Sequence, residues 1–156
     1  MTDQTVCVSP RRRFYHFAFP CLEDRYRTGK VSASDYRHLK RCRLFPRLDP
    51  EADLLERAFP NAWQRLQVYA KREGLNPWSD EAVTGYWHGH HEGIGHCAVR
   101  LGTVKEIKPK HTQGKFDSFL VDCSGSGVFV SNPFLFPLKV GDLVYIHWGK
   151  ITEKVG

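Results

Sequence analysis

The sequence predicts an α+β protein, with a helical N-terminal region packed on a small antiparallel β-barrel. Up to about residue 95, apolar residues recur at helical spacing between capping and breaking signals. After residue 96 they alternate in short runs separated by turn-forming residues. The change falls at residues 92–97, marked by Gly93 and Gly95. We therefore divide the chain into a mainly helical region, 1–94, and a barrel, 95–156, meeting at a packed junction.

Residues 1–30 read as irregular, with the aromatic cluster Phe14, Tyr15, Phe17 and Phe19 docking onto the rest. Ser34 is placed to cap a helix running to about Leu44, with Tyr36, Leu39 and Arg43 at helical spacing. Asp49-Pro50-Glu51 predicts a helix start: a capping side chain, a proline at the first position and an acid in the first turn. Pro60 should break or kink that helix. Trp63, Leu66 and Ala70 then share a face that ends at Gly74, and Asn76-Pro77 opens a further helix containing Val83, Tyr86 and Trp87 and reaching toward His91.

In the barrel, Val99, Leu101 and Thr103 alternate and Val104 and Ile107 prolong the run. Strands follow from Phe119 to Cys123, Val128 to Val130, Leu143 to Trp148 and Ile151 to Val155. Turn chemistry lies at Lys115, Ser124-Gly125-Ser126-Gly127 and Val140-Gly141-Asp142. Several short strands in about 60 residues suggest a small antiparallel barrel of the oligonucleotide-fold type.

At 156 residues the chain makes one domain, or two small ones sharing a core. No apolar run approaches the ~18 residues of a membrane span. The first residues, Met1 to Arg13, lack the apolar stretch of a secretory signal. The five cysteines (Cys7, Cys21, Cys42, Cys97 and Cys123) are odd in number and widely spread, with no Cys-x-x-Cys pair. That argues against a disulfide framework or a four-cysteine zinc site, and for a reducing cytoplasm. The net charge of +6 resides in residues 1–50, which hold eleven Lys and Arg against five Asp and Glu. Such a basic half reads as a solvated face, or as an attraction for nucleic acid or an acidic protein surface.

Two residues stand out chemically. Cys97 opens the first barrel strand and His147 lies near the end of a later one. A thiolate and an imidazole so placed can share one soft metal ion and leave its other positions open. His96 precedes Cys97 directly and could assist. The alternatives are a buried cysteine packed as a small apolar residue and a hydrogen-bonded strand histidine.

Three ordered motifs surround these residues: His96-Cys97-Ala98-Val99-Arg100-Leu101-Gly102-Thr103-Val104-Lys105-Glu106-Ile107, Val121-Asp122-Cys123-Ser124-Gly125, and Val140-Gly141-Asp142-Leu143-Val144-Tyr145-Ile146-His147-Trp148-Gly149. Together they resemble the HypC/HupF family of small nickel–iron hydrogenase maturation chaperones. That family opens Met-Cys-Leu-x-x-Pro-Gly-x-Val-x-x-Ile and closes Val-Gly-Asp-x-Val-x-x-His-x-Gly. The chain as a whole also looks similar to a larger uncharacterised hydrogenase-associated family. The resemblance implies that Cys97 binds iron, with His147 as its partner. It further implies that the iron bears cyanide and carbon monoxide, and that the protein partners are a larger iron–sulfur scaffold protein and the hydrogenase large subunit. The chain departs from that family in carrying its cysteine internally and in having Leu101 where the family has proline.

The densest run of donors is Trp87-His88-Gly89-His90-His91-Glu92-Gly93-Ile94-Gly95-His96-Cys97. His91-Glu92 and His96 miss the His-Glu-x-x-His spacing by one residue, which on a helix would turn the two imidazoles about 140° apart. His88 and His91, three apart, could share a face and bind zinc or nickel with Cys97, or simply meet the last carbonyls of a helix. The sequence shows no nucleophile elbow and no phosphate-binding loop, and its scattered acids carry no pairing signal, so a non-enzymatic binding protein is expected. The alternative is a nucleic-acid-binding barrel stacking bases on Phe129, Tyr145 and Trp148.

Overall fold

The computed structural model describes residues 8–90, 98–109 and 117–156. Helices come first: α1 (Pro10–Ala18), a 3-10 turn (Phe19–Cys21), α2 (Leu22–Arg27), α3 (Ala33–Leu44), α4 (Ala52–Ala58), α5 (Pro60–Glu73) and α6 (Asp80–Gly85), then a π-helical turn (Tyr86–His90). Five strands follow: β1 (Arg100–Lys108), β2 (Ser118–Cys123), β3 (Ser126–Ser131), β4 (Leu143–His147) and β5 (Lys150–Lys154). The chain is α+β, helices before barrel, as the patterning predicts.

Within the stretch expected to be irregular, Pro10–Arg27 is helical. Ser9 caps α1 by accepting from the Arg12 N–H, and Pro10 fills the first position. Phe14, Phe17 and Ala18 then recur at i, i+3 and i+4 and are buried, as is Tyr15. Aromatic density hid an ordinary capped helix. The capping residue of α3 is Ser32, not Ser34, with its side chain accepting from the Asp35 N–H. Asp49 caps nothing: it accepts from Ser9 Oγ (2.6 Å) and Arg12 Nε (3.2 Å), and α4 starts after Glu51 without a side-chain cap. A tertiary guanidinium outcompeted the local amide. Pro60 separates α4 from α5 and serves as the first residue of α5, whose C-cap Gly74 takes φ 70°. Asn76 closes a local turn onto the Trp78 N–H (2.8 Å), so α6 begins later, capped by Ser79.

Helical packing centres on the buried Phe14, Tyr15, Leu39, Leu55, Leu66 and Trp87. Arg12, itself buried, braces the α3–α4 connection by donating to the carbonyls of Cys42 (2.9 Å), Phe45 (3.0 Å) and Leu48 (2.6 Å).

The barrel closes in the order β1-β2-β3-β5-β4. Its interior is Val104, Val121, Val130, Val144, Ile146 and Ile151. Every pairing is antiparallel except β3 with β5, where one parallel rung, Ser131↔Lys150, completes the circle. The expected all-antiparallel barrel is therefore corrected to a mixed one, because closing five strands brings two non-consecutive strands side by side in the same direction. A bulge between Val104 and Glu106 bends β1 so that it can pair with both β2 and β4. Gly102 sits where β1 presses on β2: a Cβ there would stand 2.5 Å from Val121 Cγ1 and 2.7 Å from Cys123 Sγ. The glycine-rich turn spans only Ser124 and Gly125, since Ser126 and Gly127 already belong to β3. The expected turn at Lys115 lies outside the described residues, as does the expected boundary at 92–97.

Helices and barrel share an interface. Val99, Phe134 and Tyr145 pack on the helical core. Beside them Arg13 of α1 pairs with Asp80 (3.2 Å) and Glu153 of β5 (3.4 Å). Among the described residues, no helix is long and apolar enough to cross a membrane.

Candidate metal centre

Alternation in β4 sends Val144 and Ile146 into the barrel and turns Tyr145 and His147 toward the helices. His147 ends the strand and is fully buried. Trp148 was expected to continue the strand; instead it forms the turn with Gly149, both in left-handed backbone at φ 47° and 69°. This two-residue turn fixes His147 opposite Lys150.

Nδ1 of His147 lies 2.7 Å from the carbonyl oxygen of Phe17 in α1. A carbonyl can only accept, so Nδ1 carries the proton, and in the neutral ring Nε2 presents its lone pair. Burial, joined by the charge of Lys150, lowers the pKa of this imidazole, against the opposing pull of the Phe17 carbonyl. Nε2 faces the Sγ of Cys21 at 3.9 Å.

Cys21 closes the 3-10 turn that Pro20 makes after α1, half-buried and outside any disulfide. It opens on a cavity of about 230 Å³, lined also by Asn61, Arg65, Trp87 and Trp148. A tetrahedral metal bound at about 2.3 Å to sulfur and about 2.0 Å to nitrogen holds those two atoms about 3.5 Å apart. The observed separation is within a few tenths of an ångström of that. The Nδ1–H···O=C bond is the outer-shell contact that orients metal-binding imidazoles. Two donors and an adjoining cavity suit a soft ion that keeps other ligands of its own. Among the described residues there is no group of three or more His, Cys, Asp or Glu side chains placed to hold a metal.

The residues singled out in the sequence fare differently. His147 is at the centre of this arrangement. His88 is engaged elsewhere: its ring stacks on Tyr145 at 4.1 Å and its Nε2 lies 3.3 Å from Glu153 Oε1. His91, His96 and Cys97 lie outside the described residues. Cys21 was not anticipated. It is 126 residues from His147, and the local Phe19-Pro20-Cys21 signals a turn but no ligand.

Of the three aromatics expected to stack on bases, Tyr145 is covered by His88 and Phe17, and Trp148 lines the Cys21 cavity. Phe129 is exposed, with Lys108 Nζ 4.7 Å above its ring. Comparison of the chain with models of known families, with curated proteins and with solved structures finds no match.

Proposed function

We propose that this chain is a metal-handling accessory protein of the kind its likeness to the HypC/HupF segment implies. It receives iron as cargo between a thiolate and His147 Nε2, and passes it to a larger partner, a maturation scaffold or hydrogenase large subunit. The observation that supports this reading is the facing of Cys21 Sγ and His147 Nε2 at 3.9 Å, with the ring pinned from behind by the Phe17 carbonyl. A carrier differs from a storage site in leaving coordination positions open, and a two-donor site does so. The motif points to Cys97 as the thiolate and the geometry points to Cys21, so each is tested. Cytoplasmic residence is part of the same reading, because a reduced thiol is needed.

The test is anaerobic purification, from a host with active maturation machinery, of the wild type, Cys21→Ser, Cys97→Ala and His147→Gln. Each sample is assayed for metal and by infrared spectroscopy. Iron with cyanide and carbon monoxide stretches in the wild type, lost in His147→Gln and in one cysteine variant, supports the reading and assigns the thiolate. Neither metal nor bands in the wild type overturns it. Zinc or nickel retained by the same residues keeps the site and changes the cargo.

A further inference from the structure

The hairpin carrying His147 turns on a residue that such turns rarely accept. Two-residue hairpins of this type need left-handed backbone at both central positions, which is why Asn-Gly is the usual pair. Gly149 takes φ 69° freely, but Trp148 takes φ 47° with a bulky side chain that cannot bond its own backbone as asparagine does. Backbone strain of this sort persists only where the surroundings impose it, and it gathers at functional sites.

The position of Trp148 shows what the strain secures. Trp148 lines the cavity onto which Cys21 opens. It also lines a second, more open groove together with Glu23, Arg27 and Lys150. Trp148, together with Asp24, thus lines both the charged surface groove and the cavity of the thiol. The Cys21 cavity, at about 230 Å³, is smaller than the ~300–1,000 Å³ of sites for drug-sized molecules.

We infer that Trp148 is the selectivity wall of the Cys21–His147 site, admitting ligands of a few heavy atoms to Sγ and turning away bulky ones. The ligand class is a metal ion with a compact shell or a comparably small thiol-reactive molecule. The inference rests on Cys21 being the accessible thiol of the proposed site; it does not depend on which metal is carried.

The experiment is thiol modification of the full chain, comparing iodoacetamide with a fluorescein maleimide. Cys21 is followed by peptide mass spectrometry, because the chain has four other cysteines (Cys7, Cys42, Cys97 and Cys123). Rates are normalised to the same chain in denaturant. In the wild type, Cys21 should react with iodoacetamide and severalfold less readily with the maleimide. Trp148→Asn, which suits the turn, should abolish that discrimination, and Trp148→Phe should retain it. Equal normalised rates in the wild type, or a Cys21 closed to both reagents, overturn the inference whether or not the variants fold. An unchanged ratio in a folded Trp148→Asn does the same. Absence of metal from the wild type would sink the proposed cargo function and leave the reagent ratio as it is, so the two failures are separable.

Discussion

The imidazole of His147 is bonded to the carbonyl of Phe17 across 130 residues of sequence, at 2.7 Å. The bond ties the last residue of β4 to the penultimate residue of α1, so the ring is held by both halves of the molecule. The acceptor is a helix C-terminal carbonyl, the negative end of the helix dipole. It therefore supports positive charge arriving at the far side of the ring, whether a proton or a metal ion.

Removing this ring should cost stability as well as binding. His147→Leu deprives a buried carbonyl of its donor, at about 1–3 kcal/mol. Cys21→Ser, at a half-buried position, should lie within about 1 kcal/mol of wild type. Urea melts with a common slope would read both. Equal stability of His147→Leu and wild type would count against the Phe17 bond as a structural tie.

Arg12 should be among the most sensitive positions outside the candidate site. Arg12→Met leaves the carbonyls of Cys42, Phe45 and Leu48 and the Asp49 carboxylate without their shared donor. The expected loss is about 3 kcal/mol or more. Faster hydrogen exchange across α3 and the segment before α4 would localise it; a shift under about 1 kcal/mol would mean that water replaces the guanidinium.

Acid should weaken the fold before the carboxylates titrate. His16 is packed against Phe134 at 4.0 Å and against Phe136, and burial, reinforced by the charges of Arg12 and Arg13, lowers its pKa from 6.5 to about 3. The unfolded chain takes up this proton below about 6.5, the folded one only near 3. Stability is therefore complete above that range and declines as the pH falls, by at most about 1.4 kcal/mol per unit. Thermal melts between about pH 5 and 6.5 should show this slope in wild type and a flatter one in His16→Gln.

Gly102 tests the packing of the barrel wall. An alanine Cβ would also approach the Asp122 carbonyl oxygen at 2.9 Å, besides Val121 and Cys123. All three neighbours belong to β2, and the Asp122 carbonyl is backbone that cannot yield without moving that strand. Gly102→Ala should cost about 1–3 kcal/mol, read by chemical denaturation; a neutral result would show that β1 and β2 separate easily.

The order of helices and strands was legible because periodicity changes with the element, and each strand after Arg100 is found within a few residues of its expectation. What the sequence hid depended on partners. Asp49 has the chemistry of a cap, but Arg12 claims it from 37 residues away. Ser9-Pro10 is a helix start in plain view, masked by the aromatic run behind it. At the candidate site, His147 was visible because it ends a strand inside a spaced motif. Cys21 was not, since no local rule brings a 3-10 turn beside a distant hairpin.

The single parallel rung between Ser131 and Lys150, with the Ser131 N–H donating to the Gly149 carbonyl at 3.1 Å, bears on how the molecule breathes. Every other seam of the barrel is a ladder of several pairs, so the cylinder should unzip along this line first. The same rung anchors the hairpin that presents His147 and Trp148. Under the carrier function proposed above, loosening of the stave and release of the cargo from the imidazole would be one movement, and a partner would empty the site by prising at the barrel wall without ever touching the thiol.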